Sequence, residues 1–322
     1  MLVVMTDHDY ESTALEEELA SVQGVDFSYR PARSAGQIAQ AALGAQVLLT
    51  SYGSYDAEVI GALPDSVRAI CKSGTGYDNI DVAAATRRGV AVCNVTGYGT
   101  EVVSDHAIAL AMDCLRQVTA CDRALRAGTW SYQKARPMGQ VAGRTFGVVG
   151  FGSIGQAVAS KAAGLGFAVA VSSRSLVPGT KAGRGWPVLA LDELLSSADV
   201  VSFHVALTEE TRHLLDERRI ALLGSGAVVV NTSRGAVVDT EALARALGEG
   251  RIWGAGLDVY EEEPLPRDHP ILAAPRTVLT PHSAYFSEES IVELRRRCFM
   301  NGVRVARGED GADVVNPEVL AG

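Results

Sequence analysis

The sequence predicts an α/β protein with two doubly wound domains, each built on a parallel sheet. Apolar runs of strand length alternate with helical segments along the chain, which is typical of parallel sheets covered by helices. The 322 residues are enough for two hydrophobic cores, and 47% of them are hydrophobic. No apolar run has the length that a membrane span needs, so we expect a globular protein with no membrane as partner.

The first third of the chain contains short strands and helices in alternation. We expect strands at residues 3–5, 27–29, 47–50, 67–72 and 90–95, and helices at residues 11–21, 37–43, 57–63 and 82–88. This order predicts a small parallel sheet with helices on both faces. Residues 101–126 then carry apolar side chains at helical spacing over more than six turns. They predict one long helix that acts as a structural crossover or a subunit contact.

The second α/β unit begins at residue 145. We expect strands at residues 146–149, 167–171, 200–203, 227–231, 252–258 and 277–280, and helices at residues 153–165, 191–196, 216–223 and 240–247. In a doubly wound sheet, ligands bind outside the carboxyl ends of the strands. An amphipathic helix at residues 288–307 follows the last strand, and it could return to the first domain and make that domain discontinuous.

A glycine-rich turn follows the first strand of the second unit. Gly150, Gly152 and Gly155 form a G-x-G-x-x-G pattern between a buried strand and a helix. The first glycine permits a tight turn, the second lets a pyrophosphate approach the backbone, and the third lets helix and strand pack closely. The helix start, with Ser153 and Ile154, would hold the phosphates. The alternative is a structural turn without a ligand, but the strand–turn–helix–strand order favours a dinucleotide.

Composition and charge argue against several classes of function. The net charge of −9 disfavours nucleic acid and anionic membranes as partners. Residues 1–5 have no basic flank and so do not indicate a signal peptide. The cysteines are odd in number and form no C-x-x-C pair, which fits a cytoplasmic location and argues against disulfides and against a bound metal. They are Cys71, Cys93, Cys114, Cys121 and Cys298.

One basic window departs from this acidic balance. No aspartate or glutamate occurs between Asp122 and Asp192, whereas nine lysines and arginines do. The window surrounds the glycine turn and therefore predicts an anion site, with a solvated basic face as the alternative.

Polar side chains follow three consecutive strands of the second unit. Arg234, Glu263 and His282 are the groups needed to reduce a 2-keto acid. A guanidinium binds the substrate carboxylate in a bidentate fork, and an imidazole gives or takes the proton of the carbonyl oxygen. A carboxylate holds the other imidazole nitrogen and favours its protonated form. Taken singly, the three could be a surface ion pair, part of a solvated loop and a satisfied loop histidine, but their occurrence at neighbouring strand ends favours a catalytic set.

These motifs resemble those of the D-isomer-specific 2-hydroxyacid dehydrogenases over nearly the whole chain. The matching segments are residues 74–81, 150–155, 231–235, 258–264 and 280–282. The resemblance implies a Rossmann cofactor domain, residues 98–283, inserted into a flavodoxin-like substrate domain of residues 1–97 and 284–322. It also implies a cleft between the domains and a homodimer held through residues 101–145.

The resemblance also implies roles for particular residues. Arg234 is expected to anchor the substrate carboxylate, His282 to be the acid/base and Glu263 its carboxylate partner. A loop of the first domain is expected to offer backbone amides to that carboxylate, through Ser73, Gly74, Thr75 and Gly76. Beside the glycine turn, the expected dinucleotide contacts are Ser173, Arg174, His204, Val205, Ala206 (where the family often has proline), Thr211, Thr232, Ser233 and Asp258, the last near the nicotinamide carboxamide.

Residues 94–101 and 282–288 are most similar to the C-terminal-binding-protein branch of the family. Because that branch includes transcriptional corepressors, a dinucleotide-sensing binding protein with little turnover is the alternative to an enzyme. The absence of long disordered tails and partner motifs favours the enzyme. Its substrate stays open among glyoxylate, hydroxypyruvate and bulkier keto acids, since the pocket residues do not rank them. These residues are 51–53, 73–76, Tyr98, Tyr285 and Phe286.

The expected dinucleotide is NADP(H), with NAD(H) as the alternative. NAD-selective members end the second strand of this unit with an aspartate about 20 residues past the glycines. Here Ser173 and Arg174 occupy that place, and Lys181 and Arg184 follow. A hydroxyl and a guanidinium suit a 2′-phosphate, which a carboxylate would repel. In the alternative, a relaxed site binds NAD(H) and Arg174 stacks on the adenine.

Overall fold

The computed structural model describes residues 1–320, the side chain of Lys134 excepted. By residue contacts the chain divides into two compact units. Unit 1 comprises Met1–Tyr98 and Ser287–Gly322, and unit 2 comprises Gly99–Phe286. The substrate and dinucleotide roles predicted for two domains, with boundaries at 97/98 and 283/284, stay predictions.

Strands and helices alternate along the chain. The strands are β1 (Leu2–Met5), β2 (Asp26–Tyr29), β3 (Val47–Thr50), β4 (Ala69–Lys72), β5 (Ala91–Cys93), β6 (Thr145–Val149), β7 (Ala168–Ser172), β8 (Lys181–Ala182), β9 (Trp186–Pro187), β10 (Val200–Phe203), β11 (Val228–Asn231), β12 (Gly254–Leu257) and β13 (Thr277–Leu279). The helices are α1 (Ala14–Gln23), α2 (Ala35–Ala41), α3 (Ala57–Ala62), α4 (Val82–Arg87), α5 (Thr100–Arg116), α6 (Val118–Arg126), α7 (Ser153–Gly164), α8 (Leu191–Ser197), α9 (Glu217–Ile220), α10 (Thr240–Gly248) and α11 (Glu288–Arg307). Within residues 1–320, none of these helices is long and apolar enough to cross a membrane.

A parallel sheet forms the centre of each unit. The described strands of unit 1 have the order β2-β1-β3-β4-β5, and those of the large sheet of unit 2 have the order β13-β12-β11-β10-β6-β7. Every neighbouring pair in both sheets runs parallel. The predicted fold class, two doubly wound parallel-sheet domains, is confirmed. The sequence pattern does not predict the antiparallel hairpin of β8 and β9.

Burial explains the composition of the central strands. All four residues of β3, β10 and β11 are buried, and most of them are valine, leucine or phenylalanine. A strand of a parallel sheet has helices on both faces, so it needs apolar side chains at successive positions rather than at alternate ones. The helices between the strands often begin at an aspartate whose side chain accepts an amide hydrogen bond: Asp56, Asp81, Asp216 and Asp239.

Helix α11 completes the core of unit 1. It begins after a capping box formed by Ser287 and Ser290, and Gly308 ends it in the left-handed conformation, with φ of 70°. A Cβ at Gly302 would lie 2.3 Å from Cγ1 of Val47 on β3, so only glycine lets the helix pack this closely on the sheet. The bounds predicted for this helix agree with the observed ones.

The prediction of one long helix at residues 101–126 is wrong, because a break at Gln117 separates α5 from α6. Gln117 has φ of 54° in the left-handed region, and its side-chain amide donates to the carbonyl of Cys114 at 2.8 Å. The Asp113 carboxylate accepts hydrogen bonds from the amide and the hydroxyl of Thr119. These local bonds compete with a continuous helical ladder, and apolar spacing does not detect them. Helix α5 buries seven side chains, whereas α6 buries none.

Candidate active site

The glycine turn lies between the end of β6 and the start of α7. Gly150 has φ of 92°, and a Cβ there would lie 2.4 Å from the carbonyl oxygen of His204. A Cβ at Gly155 would lie 2.0 Å from the carbonyl oxygen of Gly150. Packing within unit 2 therefore requires glycine at both positions, with or without a ligand.

Gly152 differs from the other two glycines of the turn. Its φ of −75° suits any residue, and no described atom lies within 4 Å of a Cβ built there. Gly152 has no side chain to cap α7, and the amides of Ser153 and Ile154 have no hydrogen-bond acceptor among residues 1–320. A structural turn would not need glycine here, whereas a phosphate lying against the backbone would. These residues thus fit the pyrophosphate of a dinucleotide.

A second open polar group lies in the loop after β11. The hydroxyl of Thr232 is buried and has no hydrogen-bond partner among the described residues. Because buried polar groups are nearly always paired, such a hydroxyl marks a place where a ligand or a water completes the bonding. The neighbouring Ser233 is already occupied, since its amide and its hydroxyl both donate to Oδ1 of Asn231.

Ser173 and Arg174 follow β7, where the sequence predicts the adenosine end of the site. Oγ of Ser173 lies 3.2 Å from Oγ of Ser175. Nη1 of Arg174 lies 2.5 Å from Oε2 of Glu210, and both side chains are exposed. Glu210 lies outside the stretch between Asp122 and Asp192 that contains no aspartate or glutamate, but in the fold it contacts Arg174. This carboxylate could not be found from the local sequence, because it lies in a different loop, after β10.

The loop after β10 carries further predicted dinucleotide contacts. Nε2 of His204 lies 2.8 Å from Oγ of Ser202, and burial lowers the pKa of His204 to about 3, so its imidazole stays neutral. The hydroxyl of Thr211 donates to the carbonyl of Ala206 at 2.7 Å, and it accepts from the amide of Thr208 at 2.7 Å. These side chains shape the loop. Val205 lies against Gly150, where its Cγ1 would be 2.9 Å from a Cβ.

Arg234 is placed by the loop that follows β11. The buried side chain of Asn231 donates to the carbonyl of Arg234 at 2.9 Å while it accepts from Ser233. A Cβ at Gly235 would lie 1.8 Å from the carbonyl carbon of Tyr260, so the loop packs directly against the segment that leads to Glu263. Nη1 of Arg234 donates to the carbonyl of Ser233 at 2.9 Å.

Glu263 and His282 form the predicted pair. Nδ1 of His282 lies 2.6 Å from Oε2 of Glu263, and Oε1 of Glu263 accepts from the amide of Tyr260 at 2.9 Å. Burial by itself would raise the pKa of Glu263. The hydrogen bonds from His282 and Tyr260 and the charges of His282 and Arg234 outweigh it, so the pKa is lowered. The ionised carboxylate only accepts, so Nδ1 of His282 carries a proton and Nε2 is left for a substrate.

Asp258 lies beneath this pair and is completely buried. Its Oδ1 accepts from the hydroxyl of Thr280 at 2.5 Å and from the amide of Ser283 at 2.9 Å, and its Oδ2 accepts from the amide of Ala284 at 2.9 Å. Nε2 of His106, on α5, lies 2.9 Å from the Thr280 hydroxyl. His106 was not among the predicted site residues, because nothing in the sequence pattern distinguishes it from other polar residues of a long helix. Asp258 as a dinucleotide contact stays a prediction.

The loop predicted to bind the substrate carboxylate lies in unit 1, after β4. Its carbonyls are occupied: that of Ser73 accepts from Lys72, that of Gly74 from the amide of Val95, and that of Thr75 from Asn94. Within residues 1–320, no hydrogen bond joins the amides of residues 74–76 to an acceptor. The carbonyls of residues 73–75 already accept hydrogen bonds, whereas the amides of residues 74–76 have no acceptor among the described residues. A loop of this kind suits an anion.

Comparison with known proteins identifies the family. A model of the D-isomer specific 2-hydroxyacid dehydrogenase, NAD-binding domain, matches residues 108–284. The chain is 42% identical to a glyoxylate reductase of Korarchaeum cryptofilum over 268 residues, 82% of this chain and 80% of that protein. The TT0316 protein of Thermus thermophilus is similar in structure with a TM-score of 0.88, at 33% identity, over 98% of this chain and 100% of that one. A glyoxylate reductase of Paecilomyes thermophila has a TM-score of 0.87 at 32% identity, over 98% of each chain.

The chain belongs to the D-isomer specific 2-hydroxyacid dehydrogenase family. The predicted family and enzyme class are confirmed: this dehydrogenase is an oxidoreductase that uses a nicotinamide dinucleotide. The similarity to the C-terminal-binding-protein branch stays a prediction, as do the roles of the individual site residues.

The three glycines of the turn give a first test on this dehydrogenase. Gly152→Ala should leave the thermal unfolding midpoint unchanged, since the added methyl contacts no described atom, yet raise the Kd for the dinucleotide about tenfold or more because the methyl takes the place of the phosphate. The matched Gly150→Ala should lose about 1–3 kcal/mol of unfolding free energy through its clash and its positive φ. Dinucleotide fluorescence titration and thermal unfolding measure both effects. Unaltered dinucleotide affinity in the Gly152 variant would contradict the proposed phosphate position.

Proposed function

We propose that this dehydrogenase reduces a small 2-keto acid to the D-2-hydroxy acid. The observation that carries the proposal is the 2.6 Å contact between His282 and the ionised Glu263. This pair lies at the same sheet edge as Arg234 and the glycine turn, because the strands before them run parallel in register. Relatives named glyoxylate reductase favour glyoxylate as the first substrate to test.

Arg234 is proposed to bind the carboxylate of the keto acid. Its planar guanidinium matches two carboxylate oxygens, and the Asn231 side chain fixes the backbone from which it extends. In unit 1, the open amides of Gly74, Thr75 and Gly76 are proposed as donors to a carboxylate. Binding through a carboxylate selects 2-keto acids over simple ketones, because a ketone leaves these donors unpaired.

His282 is proposed to give its Nε2 proton to the carbonyl oxygen of the keto acid. Glu263 holds Nδ1–H, orients the ring and stabilises the imidazolium that donates this proton. The dinucleotide, held by the glycine turn and Thr232, supplies the hydride when it is bound. In the reverse direction neutral His282 accepts the proton of the hydroxy acid.

A turnover assay tests the function. The wild-type protein should reduce glyoxylate or hydroxypyruvate with NADPH or NADH, and Arg234→Lys should lower kcat/KM by about 10²-fold, since lysine keeps the charge but not the fork. Dinucleotide Kd should change less than about twofold in that variant, which serves as its control. Tight dinucleotide binding without turnover on any 2-keto acid would instead favour the dinucleotide-sensing binding protein.

The pH profile tests the pair. His282→Ala should lower the reduction rate by about 10²–10⁴-fold because the proton donor is lost. Reduction needs the imidazolium, so wild-type activity should fall as pH rises. In Glu263→Gln that fall should occur at lower pH, because the imidazolium has lost its anionic partner. Glu262→Gln, at the exposed neighbour in the same run, is the control. A Glu263→Gln profile that overlies the wild-type profile would remove Glu263 from the mechanism.

We propose NADP(H) as the preferred dinucleotide. Ser173 and Arg174 offer a hydroxyl and a guanidinium where NAD-selective members have a carboxylate. The contact between Arg174 and Glu210 acts against this preference, because a 2′-phosphate must displace the Glu210 carboxylate. Both side chains are exposed, so the ion pair contributes a free energy of about 1 kcal/mol or less. A phosphate that accepts two hydrogen bonds from the guanidinium outcompetes the Glu210 carboxylate.

The ratio of kcat/KM for NADPH to that for NADH measures the preference. It should exceed one in the wild-type protein, rise severalfold in Glu210→Gln, and fall in the double variant Ser173→Asp with Arg174→Pro. Glu209→Gln, in the same loop, is the matched control for the loss of one negative charge. A wild-type ratio below one contradicts the proposal and favours the relaxed NAD(H) site in which Arg174 stacks on the adenine.

The region 101–145 is proposed to hold a homodimer. Helix α6 buries no side chain in the isolated chain, and Val118, Leu125, Trp130 and Tyr132 are exposed, with Trp130 at 90%. A concentration of large apolar side chains on a surface is typical of a subunit contact, and the molar mass in solution tests this assignment. A cytoplasmic location is also proposed, because all five cysteines are free thiols.

A further inference from the structure

Three side chains from distant parts of unit 2 meet beneath the catalytic pair. His106 comes from α5, Asp258 from the end of β12 and Thr280 from the end of β13. Nε2 of His106 lies 2.9 Å from the Thr280 hydroxyl and 3.6 Å from Oδ1 of Asp258. The side chain of Asp258 is 1% exposed and that of His106 is 25% exposed, so water screens these contacts little.

The direction of each hydrogen bond follows from the chemistry of the groups. A carboxylate only accepts, so the single proton of the Thr280 hydroxyl points to Asp258. The same hydroxyl can then only accept from His106. Nε2 of His106 therefore carries a proton, and the chain of donation runs from His106 through Thr280 to Asp258. This assignment holds whether the imidazole is neutral or charged.

The acceptor at the end of this chain holds the backbone around His282. The carbonyl of Asp258 accepts from the amide of His282 at 2.7 Å, and its carboxylate accepts from the amides of Ser283 and Ala284. His282 has φ of 52°, in the left-handed region that a residue with a side chain rarely adopts. A conformation of this kind persists only where surrounding contacts determine it, and these hydrogen bonds are such contacts.

We propose that His106 is a positioning residue for His282, acting through Thr280 and Asp258. The proposal rests on the proposed function, because it assigns the support of the same acid/base pair. The charged and titratable groups around His282 are Glu263, its direct partner, Asp258, and Tyr285, whose ring lies edge-on to the imidazole at 6.1 Å between centroids. Arg234 acts on Glu263, and the Tyr260 hydroxyl donates to the carbonyl of Thr280 at 3.1 Å. Without the N–H of His106, the Thr280 oxygen loses the donor that fixes its position beside Asp258. The segment that carries His282 then loosens, and the contact with Glu263 lengthens.

The test compares variants that remove a donor with variants that keep it. His106→Leu removes the N–H, whereas His106→Gln places an amide N–H at a similar reach. Thr280→Val removes the hydroxyl, whereas Thr280→Ser keeps it. In His106→Leu and Thr280→Val, kcat should fall about tenfold to 10²-fold with KM and dinucleotide Kd nearly constant, because the proton donor is misplaced while the binding groups are not. His106→Gln and Thr280→Ser should recover most of the loss.

A second measurement separates this proposal from the proposed function. The NMR titration of the His282 ring, assigned with His282→Ala, reports its contact with Glu263 whether or not the protein turns over a keto acid. Its midpoint should move to lower pH in His106→Leu and return in His106→Gln. If the wild-type protein shows no turnover but the His282 midpoint still shifts in His106→Leu, the proposed function is overturned and the positioning role is retained. A His106→Leu protein whose unfolding midpoint falls while its kcat and the His282 titration equal those of wild type would show a structural role only and overturn the proposal.

Discussion

The site of unit 2 depends on the parallel register of its large sheet. Val149 lies beside Phe203, Phe203 beside Asn231, and Asn231 beside Leu257, so the strands end at nearly the same level. Each strand is followed at once by a loop with a polar or glycine-rich sequence. Groups that are far apart in the sequence therefore reach one edge, where Glu263 can contact His282. A strand shifted by one residue would turn every side chain of that strand to the other face.

The hydrogen bonds at this edge distinguish two kinds of residue: those whose side chains hold the loops, and those whose polar groups have no partner among the described residues. Asn231, Asp258 and Thr211 direct their polar atoms to neighbouring backbone and so hold the loops in place. The Thr232 hydroxyl has no partner among the described residues, and the space beside Gly152 holds no described atom. Since folding normally pairs buried polar groups, the unpaired Thr232 hydroxyl indicates where a ligand or a water binds.

Much of the fold could be predicted from the sequence, and so could the contact between His282 and Glu263. The apolar strands and the glycine pattern depend on local composition, and the bounds of the helix Glu288–Arg307 follow from its capping serine and its terminal glycine. What the sequence did not reveal depends on side chains that meet across the chain. The break at Gln117 arises from hydrogen bonds of Asp113, and Glu210 reaches Arg174 from another loop. His106 contacts Thr280 only because α5 packs against the strands that precede Asp258 and Thr280.

The discontinuity of unit 1 has a consequence for the order in which the protein folds during synthesis. Its sheet is complete once the first 98 residues have been made, but the face that α11 covers, and the buried side chain of Asn316 that bonds to Val92 on β5, come from the end of the chain. Unit 2 is continuous and can close its core as soon as it leaves the ribosome. Unit 1 must wait, with apolar surface of β3 and β4 exposed, until the last helix emerges. The sheet of unit 1 thus precedes unit 2 in the chain, whereas the helix that completes its core follows unit 2.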